Sequence, residues 1–598
     1  MPHLTKTSIT SFLGHVLPLG LVADRDLTNA DIRWYASGDA VTVRSFNEGE
    51  YPSSRGVLLT LVKLGECDVH AEYLGKTYTA HVTVRERKIP DPETKFNYYI
   101  GDLHDHTSVI HKMAEFAERT CESHFDFIDK ICKENKIDFT VMSDHGDVVT
   151  QRDFIAQALE YDAYEPKNVV ILPGSESEVT LFEEDRLGVQ RRNSGEIVML
   201  NTNNFSAATS WEEFYSDFCD TPLPLGTFAH PQVMGWGTGL WNHRPDINAT
   251  PELKRIIKLT EMGDGSRRAQ NLLHEYSYSL ALDYGFRLSP TCSSDSHGPV
   301  WGYYACPGKT VIMAEEKSAE AFISAIADGR VYATESGNVK LRYTVNGKQA
   351  PTDISPEVTD YKVRVELGYF NDDPSTHPTR LEVISDFGAC IYSTAITSDT
   401  LEFALNSSTA RYFYLRLIDP HGRKTWSAPT YLGRAPEVYD KDRVLTPMRK
   451  FHLTAYDEVS LTDAGKVFTD DPTNVWRAPE QTASLFIDLN NPHYVNAIGH
   501  LAETFVRDEI KAKHTMQGFL FAPFVAEYRI STSLDGFNFT TVKEGCIRIF
   551  GSEEILTFPT TLARFIRFEI LSTVGARSGQ DIFKNAKPSI AELTVFGT

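Results

Sequence analysis

Three patterns of hydrophobic and polar positions divide the chain. Residues 8–88 alternate apolar and polar side chains between glycine turns, as in TLVKLGECDVHAEYLGKTYTAHVTVRE, which predicts short strands with one face inward. The polar, proline-containing stretch KIPDPETKFN (88–97) reads as a linker. From Tyr98 to about Val339, apolar runs (YYIGDLH, DFTVMSDH, VVILPGSE, EIVMLN, LGTFAHP, IIKLTEM, RLSPTCSSDSH) alternate with helix-length segments such as AEFAERTCESHFDFIDKICKEN and KSAEAFISAIADG. Such alternation implies a parallel sheet, closed or nearly closed into a barrel, with sites at the C-terminal rim. Strands return at 340–435 (KLRYTVNG, YKVRVELGYF, RYFYLRLID) and at 450–598 (SLFIDLNNPHYVNAIG, AEYRISTSLDGFNFTTV, LARFIRFEIL). The expected fold class is multidomain α/β plus all-β: a sandwich at 1–90, a barrel at 98–339, a second sandwich at 340–435 and a jelly roll at 450–598.

Composition narrows the function classes. At about 150 residues per domain, 598 residues fit roughly four domains. The net charge of -22, with no Lys/Arg-rich run, argues against nucleic acid as a partner, because a phosphate backbone would be repelled. The eight cysteines are scattered with no C-x-x-C pair, which fits a reduced compartment better than a disulfide framework. No apolar run approaches the ~18 residues of a membrane span. The start, MPHLTKTSITSFLGHVLPLGLVADRD, lacks a basic region followed by an apolar core, so the chain as written reads as cytoplasmic. The added β domains are typical of exported proteins, so a secreted or cell-surface location is the alternative for a processed chain.

The chemistry sits at the ends of the apolar runs in the middle third. GDLHDHTSVIHK carries His104 and His106 two apart, on one face of an extended strand, with His111 in the loop beyond. DFTVMSDHGD ends in Asp144 and His145; VVILPGSESE carries Glu176, with Glu178 as a competing candidate on the same face. LGTFAHP ends in His230, and RLSPTCSSDSHG in Asp295 and His297. Each motif alone has a structural explanation. Five successive strand ends bearing His, Asp or Glu do not, because buried imidazoles and carboxylates are costly unless paired or metal-bound. Asp102, Asp105 and Asp144 flank the candidates and are expected to orient them. Arg267 and Arg268 are a weaker candidate for an anion clamp. Cys292 reads as packing, and His3, His15, His70 and His124 have no ligand spacing.

The ordered motifs H-x-H, S-D-H-G, P-G-x-E, A-H-P and D-x-H resemble the polymerase-and-histidinol-phosphatase (PHP) superfamily over roughly residues 98–339. The resemblance implies a distorted seven-stranded (β/α)7 barrel with two or three divalent metals. His104, His106, Glu176 and Asp295 would surround one; Glu176 would bridge to a second, shared with His230; His111, His145 and His297 would hold a third. The family usually has a further His after the bridging Glu, where SGEIVMLN here places Glu196. That carboxylate lowers the positive charge of the site and favours Mn, Fe or Mg over Zn. The segment KTVIMAEEKSAEAFISAIADGRVYATESGNVKLRYTVNG, and Trp426, Ser427 and Pro429 beyond it, resemble the subgroup that includes carbaryl hydrolase. Trp34, Gly56, Gly65 and the closing VTV strand at 82–84 resemble a bacterial immunoglobulin-like domain of group 2, and residues 450–598 resemble a discoidin-type jelly roll.

Clustered metals lower the pKa of bound water towards neutrality and neutralise oxyanion charge. The expected activity is therefore hydrolysis of a phosphomonoester or phosphodiester, on a small-molecule or glycan-linked substrate. His230 or His297 would assist the leaving group, and Asp295 completes the candidate catalytic set. An amide, carbamate or carboxylic-ester hydrolase with the same centre is the first alternative. A glycan-binding protein is the second, with TMQGFLFAPF (515–524) offering aromatic side chains in the discoidin-like region.

Overall fold

The computed structural model describes residues 1–23, 32–44, 56–91, 94–106, 124–147, 149–164, 168–184, 190–231, 249–264, 271–297, 308–435, 444–469, 471–503 and 520–598. Most of what is described is strand, arranged in several sheets.

The alternation at the N-terminus builds two four-stranded sheets. Along Gly65–Tyr73 and Lys76–Arg85 the inward positions, Val69, Ala71, Ala80 and Val82, are fully buried, as a two-residue period requires.

The central unit contains strands β1 (Asn97–Gly101), β2 (Phe139–Met142), β3 (Val170–Glu184), β4 (Gln190–Leu200), β5 (Leu225–Phe228), β6 (Ile257–Asp264), β7 (Ser289–Ser293), β8 (Lys309–Ala314) and β9 (Val331–Thr334). Its helices are α1 (His124–Glu134), α2 (Gln151–Ala163), α3 (Trp211–Asp217), α4 (Pro251–Ile256), α5 (His274–Asp283) and α6 (Ala319–Ala327). The strands lie in the order β7-β6-β5-β4-β3-β2-β1-β8-β9. The Thr310 hydroxyl on β8 donates to Cys292 O at 2.8 Å and accepts from Cys292 N at 3.1 Å, so the two ends of the run from β7 round to β8 meet. Strands β2, β5, β7 and β8 are buried on both faces, because α6 packs Phe322 and Ile326 over β2 and β8, while α1 and α2 cover Met142 and Ile171.

Two features differ from the sequence expectation. The sheet is mixed rather than parallel: β1/β2/β3 and β5/β6/β7 run parallel, but β4 is antiparallel to both β3 and β5. Only five residues join β3 to β4, too few for a crossover helix, so the chain must turn back as a hairpin. The sheet also continues through β9 into Lys424–Trp426 and Tyr412–Ile418, so hydrogen bonding runs on past residue 339.

Residues 339–431 complete a second sandwich, whose outer sheet is built on Val339–Val345, Asp360–Tyr369 and Thr400–Asn406. Beyond 450, long strands Ala483–Leu501, Val525–Ser533 and Glu554–Thr573 form the body of a further β-sheet module. Helix α5 ties the modules together. Tyr276, with Leu273 just before the helix, belongs to the C-terminal core, while Tyr278 and Leu280 pack with Tyr412, Tyr414 and Trp426. Among the described residues no helix is long and apolar enough to cross a membrane.

Candidate metal centre

The candidate ligands stand at the ends or in the middles of neighbouring strands. His104 and His106 follow β1, Asp144 and His145 follow β2, Glu176 lies in β3, Glu196 in β4, His230 two residues after β5, and Asp295 and His297 just past β7. Buried carboxylates stitch these turns together. Asp102 accepts from His104 N at 3.1 Å and Ser294 N at 3.0 Å; Asp105 accepts from Thr140 Oγ1 at 2.6 Å and Ser294 Oγ at 2.5 Å. Burial pushes both carboxyls above the usual range. After His145 the chain passes so close to Ser206 that a Cβ on Gly146 would lie 2.5 Å from Ser206 O, which explains the glycine of S-D-H-G. His230 and Asp295 adopt φ of 25° and 45°, the left-handed region that costs side-chain-bearing residues energy and that clusters at functional sites.

Four imidazoles converge on the Glu176 carboxylate. His104 Nε2 is 3.1 Å and His230 Nε2 3.2 Å from Oε1; His145 Nδ1 is 3.1 Å and His106 Nε2 3.4 Å from Oε2. Asp295 Oδ1 lies 3.0 Å from His106 Nε2 and 3.5 Å from His104 Nε2. Glu196 Oε2 is 3.1 Å from His230 Nε2, and His297 Nε2 is 3.3 Å from His145 Nε2. Three overlapping groups of donor atoms result: His104, His106, Glu176 and Asp295; His145, Glu176 and Glu196; and His106, His145 and His297.

This donor set fits divalent cations. Metal–ligand bonds of about 2.0–2.2 Å place neighbouring ligand atoms about 3.0–3.5 Å apart in octahedral or tetrahedral geometry, which is the spacing found. His104 Nε2 is buried and makes no hydrogen bond, although Glu176 Oε1 is 3.1 Å away. The two atoms are close without being aligned as donor and acceptor. Burial pulls the His104 and His230 imidazoles towards the neutral form, but the surrounding carboxylates outweigh it and hold both well above the usual value. Burial likewise opposes ionisation of Glu176 and Asp295, yet the facing imidazoles hold Glu176 well below the usual carboxylate range and bring Asp295 down to about 2.

Access is one-sided. His104, His106 and Glu176 are sealed, whereas His297 and His145 keep 39% and 28% of their side chains exposed. Glu196 stands opposite Glu178 across the β3–β4 hairpin; Glu178 accepts from Thr180 Oγ1 at 2.8 Å, leaving Glu176 as the shared carboxylate of the cluster. His111, Arg267 and Arg268 lie outside the described residues. Cys292 is fully buried in β7. Asp144 accepts from Gln157 at 3.0 Å.

One residue of the site escapes the sequence reading. Glu261 in β6 is fully buried; its Oε1 lies 2.9 Å from His104 Nδ1, and its Oε2 accepts from His230 N at 2.6 Å. A single carboxylate thus fixes the orientation of one candidate ligand and the backbone of another. The available signal was a lone acid in the apolar run IIKLTEM, a place where a carboxylate needs a partner.

Neither the family models nor the curated proteins include a match to the chain. Among solved structures, it is similar to CpGH89CBM32-5 from Clostridium perfringens, determined in complex with GalNAc-β-1,3-galactose: 19% identity over 25% of this chain and 99% of that one, TM-score 0.20. It is similar to CBM32-3 from a family 31 glycoside hydrolase of Clostridium perfringens, at 22% identity over 25% of this chain and 95% of that one, TM-score 0.20. The family 32 carbohydrate-binding module of C. perfringens NanJ, in complex with galactose, aligns at 19% identity over 26% of this chain and 99% of that one, TM-score 0.20.

Proposed function

We propose that the chain is a metal-dependent hydrolase of the PHP type that cleaves phosphomonoesters or phosphodiesters. The observation that carries this reading is the convergence of His104, His106, His145 and His230 on Glu176 at 3.1–3.4 Å, with His104 Nε2 buried and unbonded. Bound divalent ions would supply a water acidified towards neutrality and a counter-charge for oxyanions. His104, His106, Glu176 and Asp295 would hold one ion, Glu176, Glu196 and His230 a second, and His145 and His297 a third. Three ligand carboxylates only partly offset two or three dications, so the site keeps net positive charge, which suits an anionic ester. Glu261 holds His104 in orientation. With only the first two ions bound, His297, the most exposed of the cluster imidazoles, would pass a proton to a leaving group on the open side.

The test is elemental analysis of the protein, then assay of the metal-replete form on chromogenic phosphomonoester, phosphodiester and carboxylic-ester substrates. Phosphoester turnover that vanishes with chelator supports the reading; turnover of the carboxylic ester alone replaces it with the amide, carbamate or ester alternative.

A second reading, carbohydrate binding by residues 450–598, has its own observation. Phe537 and Tyr456 are 89% and 43% exposed, with Tyr456 stacked on Phe486 at 5.0 Å, and exposed aromatic faces suit sugar rings. The sugars found with the modules above, galactose and GalNAc-β-1,3-galactose, are the ones to titrate first.

A further inference from the structure

A cavity of about 390 Å³ lies between the N-terminal sandwich and the central unit, against the first residues of β3 and the start of α6. Specific contacts hold the two bodies apart around it. Asn201 accepts from Val16 N at 2.8 Å and donates to Gly14 O at 2.9 Å and Leu223 O at 2.7 Å, and Lys6 pairs with Asp162 at 2.6 Å. The cavity is partly open to solvent, and ligand sites begin at about 300 Å³.

The lining states the chemistry. Ile9, Leu17, Val170 and Ile323 make apolar walls. The buried polar groups are Asn201, whose amide is engaged as above, and Ser11 and His15: the Ser11 hydroxyl lies 2.8 Å from His15 Nδ1, and the ring stacks on Phe12 at 5.0 Å. With Nδ1 engaged, Nε2 is the ring atom left to meet an occupant. Burial, with the positive charges of Lys6 and Arg85, lowers the His15 pKa to about 4, so the ring is neutral at physiological pH. The charged groups at the margin are already paired, Lys6 with Asp162, Lys317 with Asp138 and Arg85 with Glu320, so no charge is left over for an ion.

We propose that this cavity binds an uncharged, largely apolar small molecule carrying one hydrogen-bonding oxygen or nitrogen, at a site separate from the metal cluster. The inference does not depend on the hydrolase reading, since none of the cluster residues lines the cavity.

The probe is N-phenyl-1-naphthylamine, an uncharged aromatic amine that brightens in apolar surroundings, titrated into the full chain. The expected result is saturable binding of one dye per chain. Thr10→Trp narrows the cavity from an exposed strand position and should weaken binding by about ten-fold or more, and His15→Phe, which keeps the ring but removes its nitrogens, by a smaller factor. Melting curves and metal content of both variants should match the parent, which separates this proposal from the metal reading. Absence of saturable binding, or equal affinity of the parent and the folded Thr10→Trp, overturns the proposal.

Discussion

Among the described residues, two buried clusters of titratable side chains differ in kind. At the junction of α5 with the two C-terminal modules, Glu275 meets Lys424 at 2.9 Å and also Arg416, while Asp283 meets Arg411 at 2.9 Å and also Arg548. Every carboxylate there faces a guanidinium or ammonium, donors that cannot bind a metal. In the β1–β7 cluster the partners of the carboxylates are imidazoles, whose nitrogens can donate a proton or a lone pair. Positive φ occurs in both, at His230 and Asp295 in the cluster and at Phe387, whose N–H donates to Asp283, at the junction. Burial of charge therefore does not by itself mark a candidate metal site; the chemistry of the partner separates the two.

The largest effect separating the clusters is expected from Glu176→Ala. It removes the shared carboxylate and should lower activity by about 10³-fold and empty the metal positions, with a cooperative melt retained; full metal content in the variant would break the contrast. At the junction, Arg416→Met removes the cation shared by Glu275 and Glu382, leaving them Lys424 and Arg380, and should cost about 3 kcal/mol in denaturant unfolding, while metal per folded chain stays unchanged. Loss of metal with the fold intact would instead show that the junction supports the site directly.

The sequence made the cluster legible because each candidate ligand sits in a short motif in or at the end of an apolar run, where strand geometry leaves few directions for a side chain. His104, His106, His145, Glu176, Glu196, His230, Asp295 and His297 are brought together in the structure, and the strand-rich character of the regions flanking the central unit was visible in their two-residue periods. Glu261 was missed because its local signal, an acid in the apolar run IIKLTEM, does not name a partner: its role comes from β6 lying beside β5 and from the turn after β1, both set by tertiary pairing. The antiparallel β4 was missed because a buried run such as EIVMLN carries no direction; the short connection before it was the only hint. The α5 junction was invisible for a similar reason, since Glu275, Asp283, Arg411 and Arg548 are far apart in the chain.

Glu261 offers a finer test. Glu261→Gln keeps the shape but loses the charge facing His104, and should weaken metal affinity by about 10–100-fold, read by titration with a chelator-buffered ion. An unchanged affinity would make Glu261 a packing residue. Glu196 probes the candidate second position: Glu196→Ala should lose one ion and most activity, and Glu196→His should restore the ion with a changed metal preference.

The smallest expected effect is an acid dependence at the junction. Burial opposes ionisation of Glu275, but Arg416 and Lys424 hold its carboxyl well below the unfolded value of about 4.3. A depressed folded pKa contributes stability that is complete above the unfolded value and lost as pH falls through the folded one. Stability of the parent should therefore drop from about pH 4 downwards more steeply than that of Glu275→Gln, in unfolding curves taken at successive pH values.

The most direct test of the central claim is the metal content of the purified full-length protein, measured by elemental analysis before and after loading with manganese, iron or zinc, beside Glu176→Ala handled identically. The account expects two or more divalent ions per parent chain and fewer in the variant. Less than one ion per chain in the loaded parent would contradict it.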